Sequence, residues 1–312
     1  MKSNKYEIDM CNGSIMDKLV SFALPLMLSG ILQLMFNAVD IIVVGRFSGS
    51  EALAAVGSTT ALINVFTNLF IGISLGANVL AARFFAAGRK EEMSETVHTS
   101  ITLALISGIL MAFVGLVFSK GALELMGTPE DVIGLSTLYM RIYFMGMPFF
   151  MLYNYGAAIL RAVGDTKRPL YFLIIAGVIN AGLNMVLVIV FGLGVAGVGI
   201  ATVFSQMVSC VLVLTCLCRT EGSYKLSFSK LSIKGYYLKQ IFQVGIPAGI
   251  QSTVINFSNA LLQSSVNSFG STAMAGYTAA NNILGFLYVS INSVTQACMS
   301  FTSQNFGVGK YK

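Results

Sequence analysis

Apolar runs separated by short polar loops recur from one end of this chain to the other. Eight can be drawn, at residues 18–44, 52–82, 96–118, 132–160, 169–191, 195–218, 238–268 and 273–306. Each exceeds the roughly 20 residues a helix needs to cross a hydrocarbon core, or does so once tilted. The pattern predicts an all-α polytopic membrane protein with eight transmembrane helices. Composition agrees: the 312 residues are 55% hydrophobic and only 10% charged, with a mean hydropathy of +0.78, where a soluble domain carries about 25% charged residues.

The net charge of +6 raises nucleic acid as a partner, and the placement of the basic residues excludes it. With the start placed inside, sixteen of the nineteen Lys and Arg fall in the tails and inner loops, and only Arg46, Lys120 and Arg141 fall outside. That bias puts both ends in the cytoplasm of a multi-pass cell-membrane protein. The polar start "MKSNKYEIDMCNGSIMDK" has no signal-peptide pattern, so the first membrane helix is expected to direct insertion. Five cysteines form no CxxC pair, and His98 is the only histidine, so no metal site and no cofactor are expected.

An internal repeat organises the domains. "LPLMLSGILQLMFNAVDIIVVGRFSGSEALAAVG" from Leu24 aligns with "IPAGIQSTVINFSNALLQSSVNSFGSTAMAGYT" from Ile246, with one deletion near the turn. Pro25 falls on Pro247, Asn37 on Asn259, Phe47 on Phe269, Ala54 on Ala275 and Gly88 on Gly309. Six helices separate the copies, so both enter the membrane in the same direction, related by an axis along its normal. The expected domains are a cytoplasmic tail (1–17), a six-helix lobe (18–219), a cytoplasmic linker (220–237) and the first two helices of a second lobe (238–312). Eight helices of an expected twelve are then present. Such a chain is expected not to transport as it stands, and to be monomeric when complete.

Within this apolar frame Asp40 stands out, because every other acidic residue falls in a tail, a loop or a helix end. An ionised carboxylate in hydrocarbon costs about 3 kcal/mol on insertion scales, so such groups face a bundle interior or a wet cavity. Gln33, Asn37 and Asp40 share one helical face at i, i+4 and i+7. Asp40 lies outward of its helix's middle, where it would meet protons from outside. The competing reading is a structural acid that ties helices together. Asn180 and Asn184 on the fifth helix, Thr202, Ser205, Gln206 and Ser209 on the sixth, and Thr60, Asn64, Thr67 and Asn68 on the second add polar stripes. These either line a cavity with Asp40 or act as interhelical hydrogen bonds. Pro25 frees a carbonyl one turn earlier and permits a kink. Sixteen methionines and twenty-two phenylalanines, Phe36 among them, suit a cavity for varied apolar ligands. "FGLGVAGVG" at 191–199 imitates a dinucleotide fingerprint, but between membrane-length helices it reads as a tight turn.

Taken in order, "PLMLSGILQLMFNAVDIIVVGRFSGSEALAAVG", "ILRAVGDTKRPL" at 159–170, "NAGLNMVLVIVFGLGVAGVGIATVFSQ" at 180–206 and the Pro247 segment resemble the multidrug and toxic compound extrusion family. The resemblance covers residues 15–312 and points to the branch like DinF. It implies a twelve-helix antiporter, not an enzyme, that exchanges protons or sodium for amphipathic, often cationic, compounds within the lipid bilayer. By that likeness Asp40 is the coupling acid. The fifth-helix motif, usually Asn-x-x-x-Asp, reads Asn180-x-x-x-Asn184, and the sixth-helix threonine is Thr202. Loss of the second acid favours protons over sodium. A lipid-linked oligosaccharide flippase of related architecture would need basic cavity residues, for which only Arg46 and Arg141 offer themselves. A non-transporting scaffold would have no need of Asp40.

Overall fold

The computed structural model describes residues 6–267 and 271–310. Among these all regular structure is helical: α1 (Ile15–Phe47), α2 (Gly49–Ala86), α3 (Lys90–Leu125), α4 (Glu130–Met145), α5 (Met147–Ala162), α6 (Lys167–Asn184), α7 (Gly194–Arg219), α8 (Gly235–Asn267) and α9 (Ser271–Gly307). The boundaries follow local chemistry. Ser14 caps α1 by accepting from the Asp17 amide. The turn before α7 needs positive φ at Gly192 (64°) and Gly194 (53°), so the false dinucleotide fingerprint is a turn.

Six helices among the described residues are long and apolar enough to cross a membrane: Ile15–Phe47, Gly49–Ala86, Lys90–Leu125, Lys167–Val190, Gly194–Arg219 and Ile283–Gly307. The chain is thus a multi-pass membrane protein, and two of the eight expected spans differ from expectation. Segment 132–160 is two 16-residue helices, α4 and α5, that meet at Gly146. Pro148 explains the break: it lacks the N–H that would bond the Phe144 carbonyl, and it sits in the first turn of α5, where prolines are tolerated. Helix α8 has the length, but Lys239, Gln243, Gln251, Asn256 and Asn259 dilute its apolar character.

Helices α1 to α7 pack together, and α8 and α9 lie against α2 and α1. Small residues set the closest approaches. A Cβ on Gly108 of α3 would overlap Pro148 of α5, and one on Gly72 or Gly76 of α2 would overlap the α8 backbone at Gly249 or Ile241. Helices α2 and α9 end alike, with Gly88 (φ 67°) and Gly309 (φ 75°). Each is followed by an amide that reaches back five residues, Arg89 to Phe84 O (3.1 Å) and Lys310 to Asn305 O (2.9 Å). Prolines lie inside α1 (Pro25) and α8 (Pro247). Of the alignment's other positions Phe269 and the Ala275 side chain lie outside the described residues, as do Lys2, Lys5 and Lys312.

The segment ahead of α1 is packed. Met10 is 2% exposed, and Ile8 lies so close to Gly164, between α5 and α6, that a Cβ there would overlap the Ile8 backbone. Gly164 also holds φ 90°, so Gly164→Ala is expected to cost about 1–2 kcal/mol, read as a lower unfolding temperature in detergent. The only histidine ties the linker to α3. His98 Nδ1–H donates to Ser94 O (2.7 Å) and its Nε2 accepts from the Ser227 amide (3.1 Å).

Candidate functional site: a buried carboxylate between α1 and α6

Asp40 is 9% exposed, and Asn180 and Asn184 are 5% and 0% exposed. Two turns of α6 set the pair: at i and i+4 both carboxamides face α1. Asn184 Nδ2 donates to Asp40 Oδ1 and, at 3.2 Å, to Asn180 Oδ1. The Asn184 Oδ1 itself is buried and has no hydrogen-bond partner among the described residues. No cation pairs with Asp40 among them either. A carboxylate so enclosed holds a proton or receives a cation, because a bare buried charge is costly.

Helix α6 changes character at this site. After Asn184 the chain continues as a π-helical segment, Met185–Val190, a feature common where a helix serves a function. The extra residue per turn shifts the register between Asn184 and the turn at Gly192. Closer to the helix middle, Phe36 of α1 reaches α6 at Gly177, where any Cβ would overlap its ring.

The other expected site residues divide. Thr202 is half-buried but spends its hydroxyl on the Val198 carbonyl of its own helix (3.0 Å), as Thr60 and Thr67 do on α2. Gln206 lies against Gly146 at the α4–α5 break, with a buried Oε1 that has no partner among the described residues. Gln33, Asn37 and Asn64 are exposed, and Asn68 is half-buried. The stripe expected from Gln33 through Asp40 therefore enters the bundle only at its last member. Gly30, on the same side of α1, packs on Val289 of α9, while Gln33 and Asn37 farther along that side are exposed.

Two residues escaped the sequence reading. Tyr139 (6% exposed) and Tyr143 of α4 lie within electrostatic reach of Asp40, with ring centroids 6.2 Å apart. Their signal was "STLYMRIYF", which places Ser136, Tyr139 and Tyr143 at i, i+3 and i+7 of one face. Arg46 and Arg141 are exposed, and neither pairs with the buried Asp40.

The MatE family model matches residues 25–186 and 247–312. The chain is 33% identical over 299 residues to the "probable multidrug resistance protein YoeA" of Bacillus subtilis, covering 93% of this chain and 64% of that protein. It thus spans about two thirds or less of that relative's length. An "FAD transporter" of Shewanella oneidensis is 24% identical, covering 94% of this chain and 65% of that one. Among solved structures, MATE in the bent conformation superposes with a TM-score of 0.89 at 25% identity, over 96% of this chain and 67% of that one.

Proposed function

Because the chain belongs to the MatE family, we propose that it works in a membrane exporter that exchanges protons for amphipathic, often cationic, compounds by alternating access. The supporting observation is Asp40, buried without a cation and held by a carboxamide with one acceptor unused. In this reading a proton arrives from outside and neutralises Asp40. The resulting carboxyl can donate to Asn184 Oδ1 while still accepting from Asn184 Nδ2, a paired arrangement that a carboxylate cannot make. A neutral Asp40 no longer carries the desolvation cost of a buried charge, so α1 can close on α6, with Pro25 the point where it bends. Cargo and proton thus favour opposite states of one pocket, which suffices for exchange. Asn180, Thr202 and Gln206 border the pocket, while Gln33, Phe36, Asn37, Asn64 and Asn68 line the cargo path.

In this reading the end that carries residues 6–14, Arg83, Arg168 and Lys310 faces the cytoplasm, in line with the excess of Lys and Arg in its loops. The contacts at Gly72–Gly249 and Gly76–Ile241 hold α8 to α2 in the half of the bundle toward that end, which fits a seam closed on the cytoplasmic side. The two caps at Gly88 and Gly309 support a second lobe that begins at α8 as a parallel repeat. The branch like DinF fits a first-helix acid without a second one on α6.

The test uses membrane vesicles that carry the protein expressed from its whole reading frame. Efflux of a cationic dye is expected under an imposed proton gradient, with at most a weak response to sodium. A response to sodium alone would make Asp40 and Asn184 Oδ1 cation ligands instead. Transport of FAD but not dye would reverse the cargo charge, which a pocket with Asp40 and no basic group disfavours.

A further inference from the structure

Residues 6–12 bridge two bodies that the proposed cycle must separate. On one side they hold the α5–α6 loop and the linker. Ile8 packs on Gly164, the Tyr6 ring lies 5.4 Å from the Arg168 guanidinium carbon, and Glu7 accepts from Tyr224 OH at 2.7 Å. On the other side they hold α9. The Met10 amide donates to Gln304 Oε1 (3.3 Å), Asn305 Nδ2 donates to Met10 O (3.0 Å), and Lys310 Nζ donates to Cys11 O (2.6 Å). The Met10 side chain fills a cluster with Phe22, Leu26 and Ala297.

Gln304 joins the two sides directly. While its Oε1 takes the Met10 amide, its Nε2 donates to Ala162 O of α5 (2.8 Å), and the residue is 2% exposed. It ends a seam-facing stripe of α9 at i+4 and i+3/i+4 spacing: Ser293, Ala297, Ser300 and Gln304, buried at 4%, 0%, 1% and 2%. Ser300 donates to Asn78 Oδ1 of α2 (3.1 Å). The stripe is thus sealed at its cytoplasmic end by a carboxamide that the N-terminal segment holds in place.

We propose that residues 7–12 are a latch across the cytoplasmic seam, and that Met10 and Gln304 are positioning residues whose release must precede inward opening. The latch rests on the alternating-access reading above. Asp9 adds to its stability at cytosolic pH. The Asn12 carboxamide, then the Cys11 amide and the nearby Lys18 and Lys310, hold its carboxyl below the usual carboxylate range against partial burial. It therefore stays ionised at cytosolic pH while the latch is closed and keeps the Asn12 and Cys11 bonds (2.9 and 2.8 Å).

A thiol introduced by Ser293→Cys, in a chain whose five native cysteines are replaced by alanine, tests this. Position 293 lies eleven residues before Gln304, about 16 Å deeper along the helix, so losing the latch uncovers it only if the seam itself opens. Inside-out vesicles are treated with a membrane-impermeant maleimide, with no cargo or ion gradient, so the result does not depend on Asp40 coupling. Deletion of residues 2–12 is expected to speed labelling at position 293 about tenfold, the ratio for losing one or two net hydrogen bonds. Gln304→Leu should act in the same direction. A deletion rate within about twofold of the parent overturns the latch; if the deleted chain is not recovered in the membrane, Gln304→Leu decides by the same criterion.

Discussion

Asp40→Asn is expected to lower gradient-driven efflux about 100-fold, to the rate of passive leak, while leaving the protein folded. The two halves of that expectation come from the same atoms. An asparagine keeps the shape of the side chain and keeps an oxygen to accept the Asn184 Nδ2 bond, so the helix contact survives. What it lacks is a titratable proton. A ligand moves a two-state equilibrium only by its different affinity for the two states, and a residue that cannot bind the proton supplies no difference. The substitution therefore separates coupling from structure. If Asp40 merely ties α1 to α6, the variant pumps dye like the parent; if it couples, vesicles hold the variant in the membrane at normal yield and show no gradient-driven efflux. Asn184→Leu at the same site should behave differently. It removes the only side chain seen to bond Asp40 among the described residues and leaves a buried acid without a partner, so yield is expected to fall along with efflux.

Much of this site was legible in the chain. Asp40 could be found by scarcity alone, since an acid in a long apolar run needs a reason. The i, i+4 spacing of Asn180 and Asn184 placed both carboxamides on one face of α6, and the structure turns that face to Asp40. Tyr139 and Tyr143 were harder to find because aromatic residues are ordinary in membrane helices; only their electrostatic reach to Asp40, across helices distant in sequence, marks them. Thr202 was read from its type, yet a threonine hydroxyl is often satisfied by its own helix, as here by Val198 O. The break at Gly146 was hidden within an unbroken apolar run, although Pro148 was its visible cause. Residues 6–12 were the largest miss. A polar start reads as a solvated tail because hydrophobicity registers single residues, whereas Met10 and its backbone are held by Gln304, Asn305 and Lys310, about three hundred positions away.

Gly72→Ala is expected to be as damaging as the loss of Asp40, though it adds a single methyl group. In a helix interior alanine ordinarily stabilises relative to glycine by about 1 kcal/mol. At position 72 the new Cβ would overlap Gly249 Cα and N of α8, and these are backbone atoms that no rotamer change can move. The two helices must part, at a cost of about 1–3 kcal/mol for an overpacked contact, and the cost falls on the state in which they touch. Gly76, Gly245 and Gly249 make the same approach at successive turns, so α2 and α8 lie backbone to backbone along this stretch. In the proposed cycle this is the cytoplasmic contact that opens when the protein faces inward. The substitution should then raise labelling of a seam thiol from the cytoplasmic side and reduce efflux together, by about tenfold for each 1.4 kcal/mol. Gly57→Ala, on the same helix with nothing within 4 Å of its Cβ, supplies the control. If Gly72→Ala and Gly57→Ala label and pump alike, the α2–α8 contact does not close the cytoplasmic side. If only Gly72→Ala changes, the glycines of these helices are what allow the outward-open state to seal behind the cargo.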